Sequence, residues 1–448
     1  MKTMEVRVWR GSELAAVFMR NLFDQYTQPE NRLTHALLAS LAVDSGLLRE
    51  FIRWAVPESR PRGRLSVLEQ ALPGAPEDVS GTEEDERKGL PDGWIHDPEG
   101  WALLLESKVA AAPDSDQIRR HLRMARFLGF TDIWLLWLTV TPVHHVLARG
   151  VVNRTWADLY EWLTVPRRSS EWARRVAQYL EVAEVQADMK QQLQEGTLTR
   201  FTGIPFDDEQ PYAYSQAKRI LGLLRDCLAI RRDLRRQLDA DPKHPGRGAI
   251  KGKGGTGVWD FLALRDLKGS PIFTRSPHLT LGITKSQLEA YVTVPNGMPG
   301  RLRTQLLGKE YEGFAETIHQ CTAQLEKALD AVRGANLFFV IVQRRYPSMA
   351  AVPILDMKMI FDPRTAFPGG PRRARNRPRF QPEWLRAAYQ ALRHRKSNLQ
   401  FQIGAAFPYD FCEAVRKASI AEVVAKTWIA CRPVIEAGRE KRGGGRKR

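Results

Sequence analysis

The segment that most constrains this chain is an apolar run ending in charge, Trp101-Ala-Leu-Leu-Leu-Glu-Ser-Lys-Val109. Consecutive apolar residues of this kind mark a strand buried on both faces, near the middle of a sheet. At its end, strand alternation points Glu106 and Lys108 to one side and Ser107 to the other. Buried charges are costly without partners, so this strand end calls for a metal or a phosphate. Upstream, Gly89-Leu-Pro-Asp-Gly-Trp-Ile95 reads as a shorter strand after a turn. Leu90–His96 and Trp101–Val109 then form an antiparallel hairpin turning at Asp97-Pro-Glu-Gly100, which lets Asp92 meet Glu106 and Lys108.

The 448 residues allow two or three domains. Before the hairpin, helices are expected at Leu14–Phe23 and Asn31–Trp54, and a short strand at Val67–Ala71. After it come a helix capped by Ser115 or Asp116 and running through Phe127, a buried strand Thr131–Thr141, and helices Trp156–Leu163 and Glu171–Leu193. That order makes residues 1–195 one α/β domain. A loop around Glu195–Gln210 is the expected boundary. Residues 210–437 read as an α+β region, with a basic helix Tyr214–Leu238 and strands His278–Thr284, Leu288–Val294, Leu337–Gln343 and Val352–Phe361. Its other helices are Phe314–Val332, Glu383–His394 and Asp410–Thr427. Residues 438–448 read as a disordered basic tail.

A net charge of +17 favours polyanionic partners, nucleic acid first among them. Cys227, Cys321, Cys412 and Cys431 form no Cys-x-x-Cys pair and suit neither disulfides nor zinc. There is no apolar signal core at the start and no apolar run of membrane-spanning length. A soluble, reducing, cytoplasmic setting and no membrane partner are expected.

Asp92, Glu106 and the main-chain carbonyl of Ser107 are hard oxygen donors suited to Mg²⁺ or Mn²⁺. Lys108 can position or deprotonate an attacking water, or stabilise developing negative charge. Taken singly, Asp92-Gly93 is an ordinary turn and Glu106 with Lys108 an ordinary surface ion pair. The apolar Trp101–Leu105 run argues against a surface strand.

Pro91-Asp92 followed by Glu106-Ser107-Lys108 resembles the core of the PD-(D/E)XK nuclease superfamily, over residues of about 20–165. The resemblance implies a restriction-endonuclease-like core, a mixed central sheet flanked by helices, followed here by the C-terminal α+β domain. It further implies an endonuclease that hydrolyses phosphodiester bonds of DNA or RNA with Mg²⁺ or Mn²⁺. Asp92, Glu106 and Lys108 carry the catalysis in that reading. Glu30 on the first core helix and Gln117 on the helix after Lys108 hold an outer-sphere water or a second metal position. Members of the RecB type usually carry Gln-x-x-x-Tyr; Gln117-Ile-Arg-Arg-His121 stands here, and His121 is expected to contact phosphate. Some such modules are joined to an APAZ domain that pairs with a short Argonaute, an arrangement compatible with this length and order. An effector in prokaryotic antiviral defence, controlled by its C-terminal half or a partner, is the setting implied. The alternative is a non-catalytic nucleic-acid-binding or scaffold subunit.

Arg372, Arg373, Arg375, Arg377 and Arg379 form a loop expected to touch phosphates. Phe401, Phe407 and Tyr409 suit base stacking or, by default, core packing. Gly252–Gly257 lacks the order of a phosphate-binding loop, and His144-His145 has no zinc partners at ligand spacing.

Overall fold

The computed structural model describes residues 29–73, 90–109, 115–143, 148–189, 196–241, 250–251, 257–265, 274–308, 310–345, 347, 354–368, 377–394 and 399–439. The chain divides into two units, residues 1–200 and 201–448. The expected helix Leu14–Phe23, His144-His145, and residues 252–256 and 440–448 lie outside the described residues.

In the first unit, α1 (Pro29–Val43) and α2 (Ser45–Ala55) precede a five-stranded sheet. Its order follows the sequence: β1 (Ser66–Glu69), β2 (Gly93–His96), β3 (Trp101–Ser107), β4 (Asp132–Thr139) and β5 (Val151–Thr155). β1, β2 and β3 pair antiparallel, whereas β3, β4 and β5 pair parallel. A parallel step needs a crossover, and α3 (Ser115–Phe127) supplies it between β3 and β4. α4 (Trp156–Leu163) and α5 (Glu171–Met189) complete the unit.

Every residue of β3 is buried, as its apolar run requires. Leu103 and Leu105 face a core built with Phe51, Trp156, Leu159 and Leu180 from α2, α4 and α5. Leu104 and Ala102 face the other side, where α3 contributes Ile118, Leu122 and Ala125 against Trp94 and Trp137. The expected single helix Asn31–Trp54 is two. Asp44 interrupts it, accepting a bond from the Leu47 N–H at 2.9 Å and another from Ser170 Oγ at 2.6 Å. An Asp followed by Ser-Gly is a better cap than a helix interior, and the two bonds hold its carboxyl below the ordinary value.

The second unit opens with α6 (Tyr214–Ala229) and α7 (Arg232–Leu238), again two helices where one was expected. Its sheet has seven antiparallel strands: β6 (Ile250–Lys251), β7 (Val258–Leu262), β8 (His278–Ile283), β9 (Gln287–Val294), β10 (Asn336–Arg345), β11 (Ile354–Phe361) and β12 (Leu399–Pro408). They lie in the order β11-β10-β12-β9-β8-β7-β6. α8 (Gly300–Leu307), α9 (Tyr311–Leu329), α10 (Glu383–Arg393), α11 (Ile420–Ala430) and α12 (Arg432–Ala437) follow in chain order. One continuous core joins Ile318, Phe339, Phe401, Tyr389 and Trp428. Arg439, assigned above to the tail, is held instead by the Leu238 carbonyl, to which its Nη1 donates at 3.3 Å. Among the described residues no helix is long and apolar enough to cross a membrane. Both units are mixed α/β.

Candidate active site

The β2–β3 hairpin and the parallel β3–β4 ladder bring three charged side chains to one end of β3. The turn is set by Asp97, whose Oδ1 accepts from Glu99 N–H and Trp101 N–H at 2.9 and 3.0 Å. Its Oδ2 accepts from Arg62 and Gly63 N–H at 2.8 and 3.1 Å. With the turn fixed, Gly93 pairs with Leu105. Asp92 therefore reaches the end of β3, where its Oδ2 accepts from Ser107 N–H at 2.7 Å and from Ser107 Oγ at 2.9 Å. Ser107 Oγ also lies 2.7 Å from Thr34 Oγ1 of α1, a buried contact that ties the helix to the site.

Glu106 is only 1% exposed, yet both of its oxygens are engaged. Oε1 accepts from Lys108 Nζ at 2.7 Å, and Oε2 lies 3.1 Å from His121 Nε2. Burial, then the neighbouring Glu106, push the Asp92 carboxyl up to about 7, although Ser107 and Lys108 pull it down. Burial disfavours the Lys108 ammonium, but Glu106, Asp92 and Glu30 outweigh it and hold Lys108 above its ordinary value.

Glu30 belongs to the same end: its Oε1 accepts from Val109 N–H at 3.4 Å, and its charge is felt by Lys108. Gln117 lies half-buried in the first turn of α3, four residues before His121 and so on the same side of the helix. The expected phosphate contact of His121 is overturned. Its side chain has no exposure at all, because it sits on the apolar face of α3 beside Leu122, and its partner is Glu106.

The arginine loop is divided. Arg372, Arg373 and Arg375 lie outside the described residues. Arg377 is half-buried, 3.7 Å from Glu326, and Arg379 is exposed. The stacking expectation for Phe401, Phe407 and Tyr409 gives way to core packing: all three are buried, and Phe401 stacks on Phe339 at 5.2 Å.

Among the described residues no three His, Cys, Asp or Glu side chains gather as a ready-made metal cage. What the site holds is two close carboxylates. Among the described residues Asp92 accepts hydrogen bonds from Ser107 alone, both through Oδ2, and burial, then the nearby Glu106, raise its carboxyl. That donor set fits an octahedral cation which keeps several waters and takes one or two carboxylates. Thr34 carried no signal for a role at this site, His121 was expected at the phosphate and stands instead against Glu106, and Asp97 read only as a turn residue. No protein-family model matches the chain, and no curated protein matches it.

Proposed function

We propose that the first unit is a metal-dependent nuclease of the PD-(D/E)XK kind, hydrolysing phosphodiester bonds of DNA or RNA. The observation that carries the reading is the meeting of Asp92, Glu106 and Lys108 at one end of a buried strand, within a mixed sheet flanked by helices. A structural ion pair would need Lys108 and Glu106 alone. It gives no reason for a second carboxylate whose Oδ1 has no hydrogen-bond partner among the described residues.

Asp92 and Glu106 are the side chains that would hold Mg²⁺ or Mn²⁺, which when bound polarises a phosphate and lowers the pKa of a water. The chain's own groups divide the remaining work. His121 holds the Glu106 carboxylate from behind and Lys108 holds it from the open side. Lys108 sits above its ordinary value and stays an ammonium near neutrality. It therefore serves by orienting a water and by countering charge on the phosphoryl oxygens, not as a proton acceptor. Glu30 and Gln117 flank this end as outer hydrogen-bonding groups. The second unit is the regulatory or partner-binding half in this proposal, and an effector role in prokaryotic defence beside a short Argonaute remains what the resemblance implies.

The test is cleavage of plasmid DNA, single-stranded oligonucleotides and RNA by the full chain in Mg²⁺, Mn²⁺ or EDTA, with proteins that co-purify from the native host added as activators. Cleavage that needs the metal and disappears in Lys108→Ala supports the reading. Nucleic-acid binding without cleavage in every arm, unaffected by Lys108→Ala, overturns it in favour of a binding subunit.

A further inference from the structure

We infer that the outer face of α3 is a track for single-stranded nucleic acid, in which arginines take the phosphates and Phe127 stacks on a base. The inference deepens the nuclease reading and rests on it for the destination of the strand. α3 has two unlike sides. Ile118, His121, Leu122 and Ala125 are buried against the sheet, while Arg119, Arg120, Arg123 and Arg126 are exposed. Soluble surfaces typically intersperse both signs of charge. This face carries a single acid, Asp116, paired with Arg119 at 2.9 Å where both are exposed. Arg123 and Arg126 have no anionic partner among the described residues. An arginine in the last turn also complements the helix dipole, which accounts for Arg126 and leaves Arg123 unexplained.

Phe127 ends the helix at 91% exposure, followed by Leu128 at 36%. A phenylalanine this exposed at the end of a basic stripe matches a single-strand platform, where a charged groove follows the backbone and an aromatic face takes a base of any sequence. A duplex offers that ring no unstacked base. The same helix carries His121 on its buried side, where it contacts Glu106, so the stripe and the site share one element. From Gln117 to Phe127 the helix rises about 15 Å, enough for a few nucleotides.

The experiment is fluorescence anisotropy of the full chain with labelled single-stranded oligonucleotides and the matching duplex in EDTA, where no metal-dependent cleavage interferes. We expect the single strand to bind more tightly than the duplex. Arg123→Gln with Arg126→Gln should weaken it at least tenfold and make the slope of log affinity against log salt shallower by about 1.4. Phe127→Ala should weaken it about tenfold with the slope unchanged. Arg123→Lys with Arg126→Lys should retain the slope. Single-strand binding that is unchanged in the Gln and Ala variants, or duplex binding as tight as single-strand binding, overturns the inference. Cleavage is scored separately: a wild-type chain that binds through the stripe but never cleaves removes the nuclease reading and leaves the track standing. A chain that cleaves normally with the stripe neutralised does the reverse.

Discussion

His121 Nε2 lies 3.1 Å from Glu106 Oε2, and neither side chain is more than 1% exposed. Contact between an imidazole and a carboxylate in a sealed position fixes the carboxylate's rotation. The other oxygen of Glu106 faces Lys108 at 2.7 Å. A buried glutamate that is gripped from behind is held in one orientation, which is what the proposed metal-ligating role asks of it.

Replacing His121 with Leu should therefore loosen Glu106 and lower both Mn²⁺ affinity and cleavage by about 10–100-fold. His121→Gln keeps a nitrogen donor within reach of Oε2 and should restore most of the loss. Mn²⁺ binding followed by electron paramagnetic resonance separates this positioning effect from a folding defect. Equal Mn²⁺ affinity in wild type and His121→Leu would refute it.

Asp92 gives the site a distinctive pH dependence. Its carboxyl is raised from 3.8 to about 7 in the fold by burial and by Glu106. A raised acid favours folding while it is protonated, so its contribution is complete below about 4 and fades as pH climbs through 7. The first unit should lose thermal stability over that window in EDTA. Asp92→Asn should flatten the dependence, raise stability above pH 7 and abolish cleavage, because a neutral amide relieves the repulsion and removes the metal ligand. Melting curves from pH 5 to 9 would decide, and an unchanged slope in Asp92→Asn would count against the assignment.

Lys108→Ala leaves Glu106 buried with one oxygen unpaired. Cleavage should fall by about a hundred- to a thousandfold, by comparison with losses of a single charge-stabilising donor. Lys108→Arg keeps the charge but not the compact ammonium and should recover little. Because Lys108 remains an ammonium, a cleavage-rate profile should show no titration of this residue near neutral pH. Single-turnover rates from pH 6 to 9 with Lys108→Arg alongside wild type test both points.

Strands and helices with strong periodicity were legible in the sequence, β3 and α4 most plainly. The breaks were not: Asp44 and Ile230 each end a helix that apolar spacing alone would continue. β12 alternates over Leu399-Gln-Phe-Gln-Ile403, but its second half, Gly404-Ala-Ala, carries no β-branched residue to extend the strand signal. The sheet explains it, since a Cβ at Gly404 would collide with the backbone of Ala290 and Tyr291 on β9. At the site, Asp92, Glu106 and Lys108 were readable from local spacing. The contacts of Thr34 with Ser107 and of His121 with Glu106 join residues far apart in the chain and leave no local signature. The spacing from Gln117 marks the position of His121 but not its direction, because Ile118 and Leu122 define the buried side of α3 only against the neighbouring sheet.

Asp97 supplies the last test, and it joins stability to the site. Its two oxygens satisfy four backbone N–H groups in two pairs, one within the hairpin turn and one at Arg62 and Gly63. These bonds hold its carboxyl below the ordinary value, although burial opposes them. A lowered acid contributes while it is ionised, so its stabilisation is present above about 4 and is lost as pH falls through the depressed value. Asp97→Ala strands all four donors and should cost about 2–5 kcal/mol. Asp97→Asn should rescue only partly, since an amide can accept at one pair but turns an N–H₂ toward the other. As the turn also registers Gly93 against Leu105, both variants should misplace Asp92 and weaken metal binding in proportion to their destabilisation. Urea denaturation with Mn²⁺ titration of each variant checks the coupling. A destabilised Asp97→Ala that binds Mn²⁺ normally would show that the turn does not position the site.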